Sequence, residues 1–332
     1  MNDKVSVNCR ICTHTWCIDS DRRNAKLLKR ALKISEKYDE DVALVVNAAS
    51  ITDTYWIKNA DSPLTWEQVD FKKAEFSGLA LIGTSRYYQA AERAKTKKTP
   101  ELTNIGSYEK CWRIRNGEWW LYKEGTANEL FSELFAYQFG KALGFPMAEY
   151  QLGSRYIKPR TRSILSRDFT RGHKYNFEPI MAIIGNEPQD YKRTYQKIYE
   201  ISPDAASDYL SILFLDALIY NPDRHEYNFG LLTDPDTGKV VGLAPNFDNN
   251  MALISNGYPP SPQRKGDSLI QDFNEILDTG AHWNGYSDRR TLPKVDEQLI
   301  RKIIKEIGLK VREKFIVEFI MSSYQLIGWN KS

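Results

Sequence analysis

The segment Asn221-Pro222-Asp223-Arg224-His225-Glu226-Tyr227-Asn228-Phe229-Gly230 concentrates groups that can do chemistry: a carboxylate at Asp223, an imidazole at His225 and an amide at Asn228. It follows the apolar run Leu210 to Ile219 and precedes Leu231-Leu232. A polar loop therefore sits at the mouth of a hydrophobic scaffold, where functional groups tend to gather. A further carboxylate, Asp248, comes directly after the apolar stretch Val240 to Ala244, in Pro245-Asn246-Phe247-Asp248-Asn249. Phosphoryl transfer needs such a set. One carboxylate orients and deprotonates the attacking hydroxyl, while an amide and a second carboxylate, both hard oxygen ligands, hold magnesium on the phosphates. A strand lysine steadied by a helix carboxylate neutralises those phosphates, and Lys123 and Glu133 supply that pair. Glu129 competes for the lysine; Glu133 is preferred because it lies a turn deeper in its helix. His225 reads as a structural hydrogen-bonder rather than a proton-transfer group. Asp223 and Asn228 could each cap a turn instead, Asn-Pro-Asp being a common turn tripeptide. The order Lys123, Glu133, Asp223, Asn228, Asp248 along one chain favours chemistry.

The elements that must position these residues can be read from local pattern. Lys110 to Ile114 and Trp119 to Tyr122 flank Arg115-Asn116-Gly117-Glu118. Asn-Gly between two alternating aromatic runs predicts a β-hairpin, because both residues tolerate positive φ. Its second strand ends in Lys123. A helix is expected from about Glu129 to Leu143, capped by Asn128 and closed by Gly144, with Leu130, Leu134, Phe135 and Phe139 on its apolar face and Glu133 near it. Strands are expected at Ala148 to Gly153 and at Ser163-Ile164-Leu165. Ser202 caps and Pro203 starts a helix whose stripe is Leu210, Leu213, Phe214, Ala217 and Leu218. Helices at Leu299 to Ile307, ended by Gly308, and at Val311 to Leu326 follow. A β-rich piece followed by an α-rich piece suggests an α+β chain of two lobes with a small-molecule cleft between them.

Upstream, Asp19 to Tyr38 reads as a helix and Val42 to Val46 as a short buried strand. Tyr55-Trp56-Ile57 and Leu64-Thr65-Trp66 are apolar patches too short to classify. Lys95, Lys97 and Lys98 read as a solvated linker or helix end rather than a phosphate-binding patch, and a domain boundary is plausible near residues 85–100. Cys9, Cys12, Cys17 and His14 offer a zinc ligand set, but they lack the second, distant pair that such sites use; reduced thiols packed as small hydrophobes are favoured, as for Cys111. With 332 residues, 42% apolar and 27% charged, the composition excludes wholesale disorder. No apolar stretch approaches the roughly 20 residues of a membrane helix. The first residues lack the apolar core of a secretory signal, so a cytoplasmic location is expected. The net charge, 46 − 43 = +3, is too small to indicate nucleic acid or membrane as a partner.

At the catalytic-type loop the chain resembles the HipA-like kinase family, a branch of the protein-kinase-like fold. Asn221 to Asn228 matches the family's N-x-D-x-H-x-x-N at every fixed position. The resemblance implies a catalytic base at Asp223 and magnesium ligands at Asn228 and, in a later F/Y-D motif after two strands, Asp248. By order along the chain, Lys123 and Glu133 fit its nucleotide lysine and helix glutamate. Ser163 to Phe169 looks like its strand and hinge, which assigns Ile164 and Leu165 to the nucleotide. Asn104 to Lys110 falls where the phosphate loop belongs, with Gly106 and with Ser107 as an autophosphorylation candidate, but with a single glycine. The similarity covers roughly residues 100–330; Tyr55 to Lys58 and Leu64 to Glu67 match only vaguely. It implies a bilobal fold: a small N-terminal α/β region over 1–90, a β-rich N-lobe over 91–167 and a helical C-lobe over 168–332. The implied activity is ATP- and Mg2+-dependent phosphorylation of protein Ser/Thr, as in toxins of toxin–antitoxin systems that act on translation proteins, with an antitoxin as a possible partner. A small-molecule or lipid acceptor, and a nucleotide-binding pseudokinase or interaction module, are the alternatives.

Overall fold

The structure is a computed structural model and describes residues 47–70, 110–153, 162–185, 190–286 and 291–328. The Cys9, Cys12, His14 and Cys17 group, the helix and strand expected within 19–46, the lysines at 95, 97 and 98, and Gly106 and Ser107 lie outside the described residues. The chain divides into two compact units. The first comprises Met1–Gly125, Gly153–Asn176 and Asp234–Thr237; the second comprises Thr126–Leu152, Phe177–Thr233 and Gly238–Ser332.

The first unit is built on the hairpin β1 (Lys110–Arg115) and β2 (Glu118–Gly125), in which Arg115 pairs with Glu118 and Lys110 with Lys123. The turn residues Asn116 and Gly117 have φ of 53° and 80°, the left-handed pair that a two-residue hairpin requires. On its other side β2 pairs antiparallel with β4 (Arg162–Arg167), so that Lys123 stands opposite Ile164 and Tyr122 opposite Leu165. Ile164 and Leu165 are both buried. Directly after β4, Asp168 folds the chain back by accepting from Thr170 N, Thr170 Oγ1 and Gly172 N at 2.8, 2.6 and 2.8 Å. Burial pushes its carboxyl above the ordinary range, against those bonds.

The apolar patches near residues 55 and 65 belong to an irregular strap, residues 47–70, containing one helical turn, Trp66–Val69. Polar contacts fasten it to the stretch after β4. Thr54 N and Oγ1 donate to Asn176 Oδ1 at 2.9 and 3.0 Å. His173 bridges Asp70 Oδ1 and the Ser50 carbonyl, each at 3.1 Å, and its ring lies 5.8 Å from that of Trp66.

The second unit opens with α1 (Ala127–Ala142). Its N-cap is Thr126 rather than the expected Asn128. Thr126 Oγ1 accepts from Glu129 N, and Glu129 Oε2 accepts from Thr126 N. This reciprocal box satisfies two end donors at once, which a cap two residues later would not. The expected face of Leu130, Leu134, Phe135 and Phe139 is buried, with Glu133 beside it at 1% exposure. After α1 come β3 (Tyr150–Leu152), β5 (Asn176–Pro179) and α2 (Tyr191–Ile201). The central element is α3 (Pro203–Ile219), capped by Ser202 as the sequence predicts; all of it except Pro203, Asp204 and Asp208 is buried. It packs against α2, α4 (Ser268–Asp278), α6 (Glu313–Gly328), β7 (Val240–Leu243) and α1. Phe214 on α3 meets Phe145, Phe273 and Trp283. The helix α5 (Glu297–Ile307) ends at Gly308, as expected. β6 (Gly230–Thr233) and β7 form a hairpin joined by β5 in the order β5-β6-β7. Gly230 permits this: a Cβ there would lie 2.1 Å from the Glu178 carbonyl oxygen. Among the described residues no helix is long and apolar enough to cross a membrane.

Candidate active site

Two loops of the second unit carry the candidate residues. The first leaves α3 at Tyr220, whose left-handed conformation ends the helix, and runs to β6. The second leaves β7 and runs from Ala244 to Asn250. Sequence reasoning missed what joins them. Arg224 is fully buried and forms a close ion pair with Asp216 of α3, Nε to Oδ2 at 2.8 Å and Nη2 to Oδ1 at 3.0 Å. Its Nη1 donates to the carbonyls of Asn228 and Phe247, both at 2.8 Å. Its Nη2 also reaches Asn246 Oδ1 at 2.9 Å and Asn249 Oδ1 at 2.7 Å. Every donor of the guanidinium is thus engaged, the condition under which a buried charge is tolerated. Burial works against the charge of Arg224, but Asp216, and then the fields of Asp248 and Glu133, outweigh it and hold its pKa above the ordinary value. A signal was present in the sequence. Asp216 interrupts an apolar helix eight residues before Arg224, and a carboxylate on a buried face demands a partner.

The loop geometry follows from this tie. Asn221 Nδ2 donates to Asp216 Oδ1 at 3.0 Å and Asn249 Oδ1 at 3.3 Å. Asn228, at 6% exposure, donates from Nδ2 to the Asp223 carbonyl at 2.8 Å, which leaves Oδ1 as the atom that could hold a metal. Asp223 is half-buried and His225 exposed; His225 Nδ1 accepts from Tyr227 N at 3.3 Å, the structural role expected of it. Asp248 is half-buried and adopts a left-handed conformation, φ 58°. Its N–H donates to the Tyr150 hydroxyl at 3.0 Å. The next N–H, of Asn249, donates to Glu133 Oε1 at 2.8 Å.

The second unit therefore brings together Asp223, Asn228, Asp248 and Glu133. Lys123, Ile164 and Leu165 stand together in the β2–β4 ladder of the first unit. Glu129, the rival for the lysine, caps α1. Among the described residues no three His, Cys, Asp or Glu side chains converge on a metal position. One carboxylate and one amide oxygen suit Mg2+, which keeps several waters and takes further oxygens from phosphates, better than a metal that needs an all-protein cage.

The α+β architecture is the HipA kinase-like fold. The HipA of Shewanella oneidensis MR-1, solved with HipB and its operator DNA as a toxin–antitoxin system, is similar at a TM-score of 0.56 over 96% of this chain and 85% of that chain, with 12% identity. The sequence matches the HipA-like C-terminal domain over residues 94–319, well over half its length, and the chain belongs to that family. The Helicobacter pylori proinflammatory kinase CtkA is similar at 18% identity over 66% of this chain and 94% of that one, with a TM-score of 0.49. No curated protein matches the sequence.

Proposed function

We propose that the chain is an ATP- and magnesium-dependent kinase that phosphorylates protein Ser/Thr hydroxyls, in the manner of a toxin-type regulator. The observation that carries this reading is the buried Arg224, which ties the loop of Asp223 and Asn228 to the loop of Asp248. Bound magnesium would neutralise charge on the phosphates as the terminal phosphoryl group leaves. Asp248 and Asn228 Oδ1 are the residues to hold it. Asp223 orients the acceptor hydroxyl and takes its proton. Lys123 and Glu133 are the residues assigned to the nucleotide phosphates, and Ile164 and Leu165 those assigned to its base. Gly106 and Ser107 belong to the phosphate loop, with Ser107 as an autophosphorylation site. The family membership and the HipB-bound neighbour support an antitoxin protein as a partner and a cytoplasmic setting.

Two substitutions test the site. Asp223→Asn keeps the shape and removes the proton acceptor, so phosphoryl transfer should fall by about 10²–10⁴-fold with ATP binding kept. Asp248→Asn should abolish most of the magnesium-dependent part of the thermal shift given by ATP. Radiolabelled ATP with a cell extract, followed by mass spectrometry of labelled proteins, identifies the acceptor. Absence of any nucleotide-dependent shift at millimolar ATP would refute the proposal.

A further inference from the structure

One main-chain group of each of the consecutive residues 247, 248 and 249 is held by a side chain from a different part of the second unit. The Phe247 carbonyl accepts from Arg224, the Asp248 N–H donates to Tyr150 on β3, and the Asn249 N–H donates to Glu133 on α1. None of the three is a bond of a helix or strand. Between them lies Asp248, with φ of 58°. That conformation is uncommon for a residue with a Cβ, and Asp is one of the few types that tolerate it. Tyr150 and Glu133 are themselves buried, at 8% and 1% exposure, so neither acceptor swings freely.

We propose that Tyr150 is a positioning residue for the divalent cation, acting with Glu133 through the main-chain N–H groups of Asp248 and Asn249. The inference rests on the proposed function above and adds two roles to it. Tyr150 was not among the residues singled out from the sequence. Glu133, expected there only as a partner for Lys123, also fixes the loop that carries the metal carboxylate. Physically, the cation requires Asp248 and Asn228 Oδ1 at a defined separation, because Mg2+ tolerates little distortion of its octahedron. Arg224 Nη1 sets that separation at the backbone, since it binds both the Asn228 and the Phe247 carbonyls. Tyr150 then sets the rotation of the Asp248 peptide, and Glu133 that of the next. A residue that only fills space on β3 would do this equally well as Phe; a residue that acts through its oxygen would not.

The experiment compares wild type, Tyr150→Phe, Glu133→Gln and Glu133→Ala. Phe differs from Tyr by the hydroxyl alone. Gln keeps a carbonyl oxygen for the Asn249 N–H but loses the charge that a lysine partner needs, whereas Ala loses both. The first readout needs no ligand: amide hydrogen exchange across residues 245–252. Exchange should quicken in Tyr150→Phe and Glu133→Ala and stay near wild type in Glu133→Gln. The second is calorimetric titration of magnesium into protein with ATP. Tyr150→Phe should raise the half-saturating magnesium concentration roughly tenfold, the consequence of one lost hydrogen bond. Its phosphoryl transfer at saturating magnesium should stay within about twofold of wild type, a KM-type rather than a kcat-type change. If wild type binds magnesium and ATP while Tyr150→Phe matches it in both exchange and titration, this inference fails alone. If wild type binds no nucleotide, the kinase reading and this inference fall together. If Glu133→Gln and Glu133→Ala exchange alike, the role given to Glu133 is wrong.

Discussion

Asp208 is a carboxylate on the central helix α3, half-buried, in a position that nothing in the proposed chemistry uses. Burial, and then the neighbouring charge of Asp204, push it up to about 6 from 3.8. The sign follows from linkage. An acid whose pKa is raised on folding leaves stability intact below about pH 4, where both states are protonated, and removes it as pH rises through 6. After allowance for solvent screening at this half-exposed position, the loss is on the order of 1 kcal/mol. Asp208→Asn should therefore stabilise the protein by about that amount at pH 7–8 and leave it unchanged at pH 4, measured by chemical denaturation at the two pH values. Asp223, Asn228 and Asp248, expected from residue type, order and the family resemblance, stand on two loops joined by one guanidinium. Arg224 was legible only through Asp216, the buried carboxylate eight residues before it that needs a partner. Its hold on backbone carbonyls and buried amides leaves no local spacing, and neither does Tyr150, which acts on the N–H of a residue 98 positions away.

Among the elements, those stabilised by their own sequence were read correctly. The β1–β2 hairpin follows from Asn116-Gly117, and α3 from its Ser202-Pro203 start and continuous apolar stripe. The misplaced start of α1 reflects two polar residues, two positions apart, competing to cap. Thr126 wins because Glu129 stands three positions on. The helices α2 and α4 were overlooked because each buries only a short face between polar residues: Thr194, Tyr195 and Ile198 on one, Ile270, Phe273, Asn274 and Ile276 on the other. The strap of residues 47–70 was beyond local reading, since its hold on Asn176 spans 122 residues. The tie between α3 and the two loops yields a sharper test. Arg224→Met strands Asp216 as an uncompensated buried charge and should cost about 3–5 kcal/mol. Arg224→Met with Asp216→Leu should recover much of that stability, yet not the magnesium dependence, because the two loops have lost their common donor. Denaturation curves and calorimetric magnesium titrations of the single and double variants measure the two effects separately.

At the scale of the whole molecule, the chain visits its first unit in three separate stretches. A protein made from its N-terminus generally completes one domain before the next begins. Here that order is not available. When Gly125 leaves the ribosome, β2 has β1 on one side and bare backbone on the other. β4, the strand that closes that edge, arrives only after α1, which belongs to the second unit and waits in turn for α3. An unpaired, apolar strand edge of this kind is a template for aggregation. Nascent chains stalled at increasing lengths should therefore gain protease resistance across residues 110–125 only once Arg167 has emerged, and should depend on a chaperone until then. Resistance already present in chains stalled just past residue 125 would show that the hairpin stands on its own. The interleaving of the two units along the chain thus leaves a long stretch of its synthesis unprotected.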